Sequence, residues 1–198
     1  RYFTSSNSSS FRDENSHRAN LEFEIEADST LRIDIEPSFN TSNVKREFSD
    51  AEESRDDQNV LTNESTSSSF VETVGKDFSN ELDITKKFGS NGAFIRLSLD
   101  NEYNNTETDD YLNSTTNIYG DNPNNIIRDQ FTDGDRKTKG FSTSLTYRLP
   151  LRGKEWYMDI RYDFNNDKRE NKVSTYDFND VDQDYTDFNT TLSTDFEY

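Results

Sequence analysis

The chain contains no cysteine, which excludes a disulfide framework and any Cys-based metal or redox site. That absence is compatible with an oxidising envelope but does not require one. Long hydrophobic runs are missing as well. The longest, such as Ala93-Phe94-Ile95, are three residues, against the about 20 that a transmembrane helix needs. Basic residues are few: 22 Lys and Arg stand against 40 Asp and Glu, a formal net charge of −18. No Lys/Arg cluster is available to contact phosphates, so nucleic acid is not an expected partner. Histidine occurs once, as His17. A Ser-His hydrolase would have to use it, and no particular serine or carboxylate is placed beside it. The chain is therefore read as a non-enzyme with no cofactor. It starts at Arg1 with no initiator Met and no signal-peptide apolar segment, and reads as a section of something longer.

The hydrophobic fraction is 29%, too low for an ordinary soluble core, and with this net charge it would suggest disorder. The 15 Phe, 10 Tyr and 1 Trp argue the other way. Both facts are reconciled if the apolar residues are gathered on one face of β-strands while the opposite face and the loops stay polar.

The residue pattern has that form. Leu21, Phe23, Ile25 and Ala27 alternate with Glu22, Glu24 and Glu26, and successive side chains of a strand point to opposite faces. After the short turn Asp28-Ser29-Thr30, the residues Leu31, Ile33, Ile35, Pro37 and Phe39 alternate with Arg32, Asp34, Glu36 and Ser38. A hairpin is expected here, with a bulge or local break at Pro37, which cannot donate to a ladder. A third strand over about 72–88 carries Phe78, Leu82, Ile84 and Phe88, and Gly89-Ser90-Asn91-Gly92 turns the chain. The fourth sets Ala93, Ile95, Leu97, Leu99 and Tyr103 against Arg96, Ser98, Asp100 and Glu102. The fifth sets Phe141, Thr143, Leu145, Tyr147 and Leu149 against Ser142, Ser144, Thr146 and Arg148. Past a turn at 150–154, Trp156, Met158, Ile160, Tyr162 and Phe164 alternate with Tyr157, Asp159, Arg161 and Asp163. Leu192, Thr194, Phe196 and Tyr198 begin a seventh strand. No helical periodicity competes with these runs, so the chain is all-β.

The turns at Asp28, Ser90 and Arg152 are equally spaced, and long Ser/Asn/Asp-rich loops are expected between the hairpins, at about 1–16, 45–69, 106–137 and 168–184. Short turns at one end and long loops at the other are the pattern of an outer-membrane barrel, with periplasmic turns and extracellular loops. Five outward positions, as from Phe141 to Leu149, span about 26 Å along a strand and about 20 Å once tilted, close to the apolar band of such a barrel. Aromatic residues gather near the strand ends, as interfacial girdles do. The expected fold is thus an antiparallel up-and-down meander of about seven long strands, part of a transmembrane β-barrel. On this reading Leu21, Phe23, Ile25, Leu31, Ile33, Ile35, Ile95, Leu97, Leu99, Leu145, Tyr147, Met158 and Ile160 face lipid. Glu22, Glu24, Glu26, Arg32, Asp34, Glu36, Arg96, Asp100, Arg148, Asp159 and Arg161 face the lumen.

The runs "SHRANLEFEIEADSTLRIDIEPSFN", "NELDITKKFGSNGAFIRLSLDNEYNN" and "GFSTSLTYRLPLRGKEWYMDIRYDFNND" resemble the outer-membrane β-barrel family related to TonB-dependent receptors, over nearly the whole chain. The resemblance implies a large barrel, often of about 22 strands, in the outer membrane of a Gram-negative bacterium. It also implies ligand uptake through that barrel, with a plug domain and TonB-type energy coupling as partners. All 198 residues would then be one stretch of wall, because an open sheet edge does not persist in hydrocarbon.

Two further features are weighed against plainer explanations. Asp180, Asp182 and Asp184 have the alternate spacing of a calcium loop, but Tyr185 stands where the loop needs Gly and Thr191 where it needs Glu. A solvated acidic loop accounts for them first. A soluble or surface-attached all-β module with calcium-binding acidic loops is the alternative reading of the chain. The acidic inward set suggests a cation-favouring lumen or a docking wall for a plug. An ordinary polar lumen with cross-strand pairs such as Glu24 with Arg32 explains it more simply.

Overall fold

A computed structural model describes residues 2–152 and 155–198. The described residues contain no helix, and nine strands form one antiparallel sheet. These are β1 (Phe3–Asn20), β2 (Phe23–Asp28), β3 (Leu31–Arg55), β4 (Leu61–Phe88), β5 (Ala93–Ile118), β6 (Asn124–Arg152), β7 (Trp156–Asn179), β8 (Asp184–Phe188) and β9 (Thr194–Glu197). Spatial order follows chain order. β1 and β2 both lie along β3, and β8 and β9 both lie along β7. The sheet is therefore a seven-strand up-and-down meander whose first and last strands are each interrupted once. It is not closed: nothing among the described residues pairs β1 with β7, β8 or β9.

Both interruptions have local causes. Asn20 opposes Ser38 and Phe23 opposes Ile35, so the register runs unchanged past Leu21 and Glu22. What fails there is one ladder bond beside Pro37, and there is no slip at that point. A bulge does occur lower down, between Glu26 and Asp28. Between β8 and β9 the chain makes a turn in which the Asn189 side chain accepts the N–H groups of Thr191 and Leu192, both at 3.1 Å. This turn resets the face. Phe196 then lies opposite Asn171 and Thr194 opposite Val173, on the charged side of β7. The expected apolar set of the seventh strand is thus on the opposite face from the other six.

The largest correction concerns the loops. Residues 1–16, 45–69, 106–137 and 168–184 are mostly strand. β3 to β7 are 24 to 29 residues long, or about 80–95 Å at about 3.3 Å per residue. The supposed loops reduce to tight turns. Asp56 accepts the N–H groups of Gln58 at 2.9 Å and Val60 at 2.8 Å, with Asn59 at φ 64°. Gly120 turns at φ 108°, and Asn179 accepts from Val181 and Asp182 beside Gln183 at φ 55°. Asp133 and Gly134, inside the stretch expected as a loop at about 106–137, are paired inside β6. These polar stretches extend because the ladder set lower down continues without a slip. β4 pairs with β5 in one register from Phe88 opposite Ala93 to Asn63 opposite Ile118. Hydroxyl pairs support it: Ser9 with Ser49 at 2.8 Å, Thr4 with Ser54 at 3.0 Å and Thr132 with Thr175 at 3.1 Å.

The turn expected at 150–154 lies partly outside the described residues, which resume at Glu155 after Arg152. The other two short turns stand as expected. Asp28 accepts the N–H groups of Thr30 and Leu31, and Gly89 and Gly92 take φ of 61° and 90°.

Candidate functional site: a two-faced wall

Register sorts the side chains into rows across the sheet. One row is Ile25, Ile33, Ile84, Leu97, Leu145 and Tyr162, and the next is Phe23, Ile35, Leu82, Leu99, Thr143 and Phe164. Leu31, Lys86, Ile95, Tyr147 and Ile160 make a third. These rows form an apolar belt six strands wide at the end of the sheet that carries the short turns. Aromatic residues border it: Phe88 and Trp156 near the turns, and Phe39, Phe78, Tyr103, Phe141 and Phe164 at its far side. From Phe88 to Phe78 is about 33 Å along the strand and about 24 Å at a tilt of about 45°.

Nothing among the described residues covers this belt. Among the described residues no hydrophobic side chain is buried, and Ile160 is 52%, Tyr162 63% and Ile25 46% exposed. The accessible surface is 14026 Å², whereas a compact soluble monomer of this mass would show about 9,700 Å². All the residues expected to face lipid lie on this face. Leu21 falls in the interruption between β1 and β2, opposite Pro37.

The opposite face is charged. Arg32 holds Glu24 at 3.2 Å, the cross-strand pair expected from the sequence, and Asp34 at 2.8 Å. Arg148 grips Asp159 with two bonds of 2.7 Å and lies over the rings of Phe94 and Tyr157. Arg161 pairs along its own strand with Asp163 at 2.8 Å, and Arg96 reaches Thr85 at 3.3 Å. Ser142 donates to Asp100 at 2.7 Å, and Ser98 donates to Asp83. Glu26 stands opposite Arg32, and Glu22 is in the β1–β2 interruption. Like charges also meet directly: Asp34 faces Asp83, and Glu36 faces Glu81, which in turn faces Asp100. This acidic row borders a trough of about 800 Å³ that also touches Ser38, Glu102 and Asp167.

The calcium-loop candidates do not converge. Asp180 and Asp182 are in the turn after β7, and Asp184 opens β8. An Asp182 carboxylate oxygen accepts from Thr186 at 3.1 Å, and one of Asp184 accepts the Tyr185 N–H at 2.8 Å. Among the described residues no group of three acidic or histidine side chains is arranged to hold a metal ion. His17 pairs with Thr41 in β1 and is exposed.

One feature was missed by sequence reading because it lies in the stretches taken for loops. Phe11, Glu47, Phe70, Tyr111, Phe131 and Tyr176 form a further, mostly aromatic row on the belt face. Tyr111 and Phe131 are 4.7 Å apart by ring centroid, and Tyr185 leans over them at 5.7 and 6.0 Å. The Tyr185 hydroxyl donates to Asp129 at 2.7 Å. Burial and that bond push the phenol up to about 12. An eight-residue recurrence of aromatics would have been the signal: Phe78 to Phe70, and Tyr103 to Tyr111.

No protein-family model matches the chain, and neither does any curated protein.

Proposed function

We propose that this chain is a section of the wall of an outer-membrane β-barrel of the receptor/transporter kind, similar to TonB-dependent receptors, which takes up a ligand across the outer membrane of a Gram-negative cell. The observation that carries the reading is the exposed apolar belt on one face of a sheet in which no described hydrophobic side chain is buried and whose other face is charged. A single-layer sheet of this kind leaves its apolar rows in water unless lipid or protein covers them. The belt is about as tall as the apolar band of an outer-membrane barrel, and aromatic residues border both its edges. The short turns at Asp28 and Gly89–Gly92 would lie on the periplasmic side. The charged face would line the lumen, with further strands joining at β1–β2 and along β7 to complete the barrel.

On this reading more than half of each long strand stands outside the membrane. Ligand would meet the strand tips near Asp57, Tyr119 and Asp182 and then the acidic trough, since no long loop among the described residues closes over it. A plug domain docking on the charged face, and energy coupling of the TonB type, belong to the same proposal.

Detergent-phase partitioning of the full-length protein tests it, together with heat-modifiable migration in electrophoresis. Recovery in the detergent phase, and faster migration of the unheated folded form, are expected. A folded protein recovered in the aqueous phase without detergent sinks the barrel.

A further inference from the structure

We propose that the upper aromatic row is a binding site for the saccharide part of an outer-leaflet glycolipid. The inference rests on the barrel reading, because it uses the belt face as the lipid-facing one. The groove there, about 600 Å³, is lined by Phe11, Phe70, Tyr111 and Tyr185 together with Ser49 and Asn113. Toward the belt the neighbouring row is charged (Asp13, Lys45, Glu72, Asp109 and Asp133), whereas on the side away from the belt it is Ser9, Ser49, Ser68, Asn113 and Asp129, continuing into Asn7, Ala51, Thr66 and Thr115. In a chain of net charge −18 this is a nearly neutral strip, with Glu47 the one charged residue lining the groove. Aromatic faces beside hydroxyl and amide groups suit a sugar, which offers C–H faces to rings and hydroxyls to Ser and Asn.

Height selects the source of the sugar. The row lies eight positions beyond the far border of the belt, from Phe39 to Glu47, from Phe78 to Phe70 and from Tyr103 to Tyr111. Eight residues are about 26 Å along a strand and about 19 Å along the membrane normal at a tilt of about 45°. Phospholipid headgroups add only about 5–8 Å to each side of the hydrocarbon core. A lipid-facing groove at this height is beyond phospholipid and within reach of the core oligosaccharide of lipopolysaccharide. Phe11 is 62% and Tyr111 39% exposed, so the ring faces are open to it. Tyr185 closes one end of the groove, held in place by Asp129.

The test uses the full-length protein in micelles of a detergent without a sugar head group (lauryldimethylamine oxide), titrated with purified rough-type lipopolysaccharide, with its delipidated core oligosaccharide and with lipid A alone. Whole lipopolysaccharide should be retained, the free oligosaccharide should compete for the site, and lipid A alone should bind far more weakly. Phe70→Ala with Tyr111→Ala should weaken retention at least about tenfold, and Tyr111→Phe should preserve it. Unchanged heat-modifiable migration of each variant checks its folding. Equal retention of lipid A and lipopolysaccharide, or undiminished binding by the double variant, overturns the proposal. So does free oligosaccharide binding without retention of lipopolysaccharide, or self-association through the groove in place of glycolipid binding. Insertion into phospholipid vesicles, read by flotation, separates the two readings. A protein that inserts but retains no lipopolysaccharide removes this inference alone, and one that does not insert removes the barrel.

Discussion

Leu21 donates its N–H to the carbonyl of Pro37 at 3.0 Å, and Pro37 has no N–H to return. In an antiparallel ladder such a pair normally exchanges two bonds. The single loss accounts for the gap between β1 and β2 while the register on either side stays the same. Replacing Pro37 with Val should restore the second bond and join β1 to β2. The expected gain is about 1 kcal/mol, seen as a higher unfolding midpoint and as slowed amide exchange at residue 37. An amide there that exchanges as fast as an exposed turn would refute the ladder explanation.

The two faces should respond oppositely to one substitution. Leu97 is in the middle of the belt, and its neighbour Ser98 is on the charged face beside Asp83. If the belt faces lipid as proposed, Leu97→Arg should cost about 2–4 kcal/mol in vesicles, as a cation does at mid-bilayer on the lipid face of a barrel. Ser98→Arg should cost much less, because Asp83 is within reach. Urea unfolding in phospholipid vesicles measures both, and equal losses would mean the faces are misassigned.

The acidic row carries its own cost. Glu81 stands between Glu36 and Asp100, and like charges directly opposite one another destabilise a sheet. Glu81→Gln should raise stability by about 0.2–1 kcal/mol, and the gain should shrink as salt is added. A loss of stability at low salt would show that Glu81 has a cationic partner.

Acid should loosen the first turn. Thr30, through its hydroxyl and its N–H, holds Asp28 down from the ordinary 3.8 to about 2, with Lys86 at 3.3 Å adding to the effect. A carboxylate with a depressed folded pKa contributes stability that is complete above its unfolded value and is lost as pH falls through the folded one. The contribution of Asp28 should therefore vanish between about pH 4 and 2. Comparing unfolding midpoints of Asp28→Ala and the parent protein across that range measures it. A gap that persists unchanged at pH 2 contradicts the assignment.

Alkali should act on Tyr185. Its phenol is raised from 10.0 to about 12, so its stabilising effect is complete below pH 10 and lost as pH rises through about 12. Tyr185→Phe should remove a late-titrating component from the tyrosinate absorbance curve and free the end of the aromatic row. Loss of a component near the ordinary value of 10.0 instead would indicate that the ring is in water.

Much of the lower wall was legible in the residues themselves. The alternation from Leu31 to Phe39 and from Ala93 to Tyr103 gathers the apolar residues on one face of a strand, and a one-sided strand has a sequence period of two. Asp28, Gly89 and Gly92 mark their turns because the local backbone needs a side-chain acceptor or a positive φ. The pair Glu24–Arg32 could be read from cross-strand placement alone. The upper wall was not legible. From Ser49 to Ser54, or from Thr62 to Ser69, both faces are polar, so no hydrophobic period distinguishes strand from loop. The flipped face of Phe196 was hidden for a different reason: the turn at Asn189 changes which residues oppose β7, and no pattern within β9 records that.

By itself, then, the sequence determined the strand period, the two-sided chemistry of the belt and the positions of the short turns, since each is imposed by contacts only a few residues apart. Only the tertiary structure decided how far the strands run. Their length follows from a register shared with the apolar rows and carried on by backbone bonds, which do not depend on side-chain identity. It also brought Phe70, Tyr111, Phe131 and Tyr185 together, because residues from four separate strands become neighbours only once the ladder is in place.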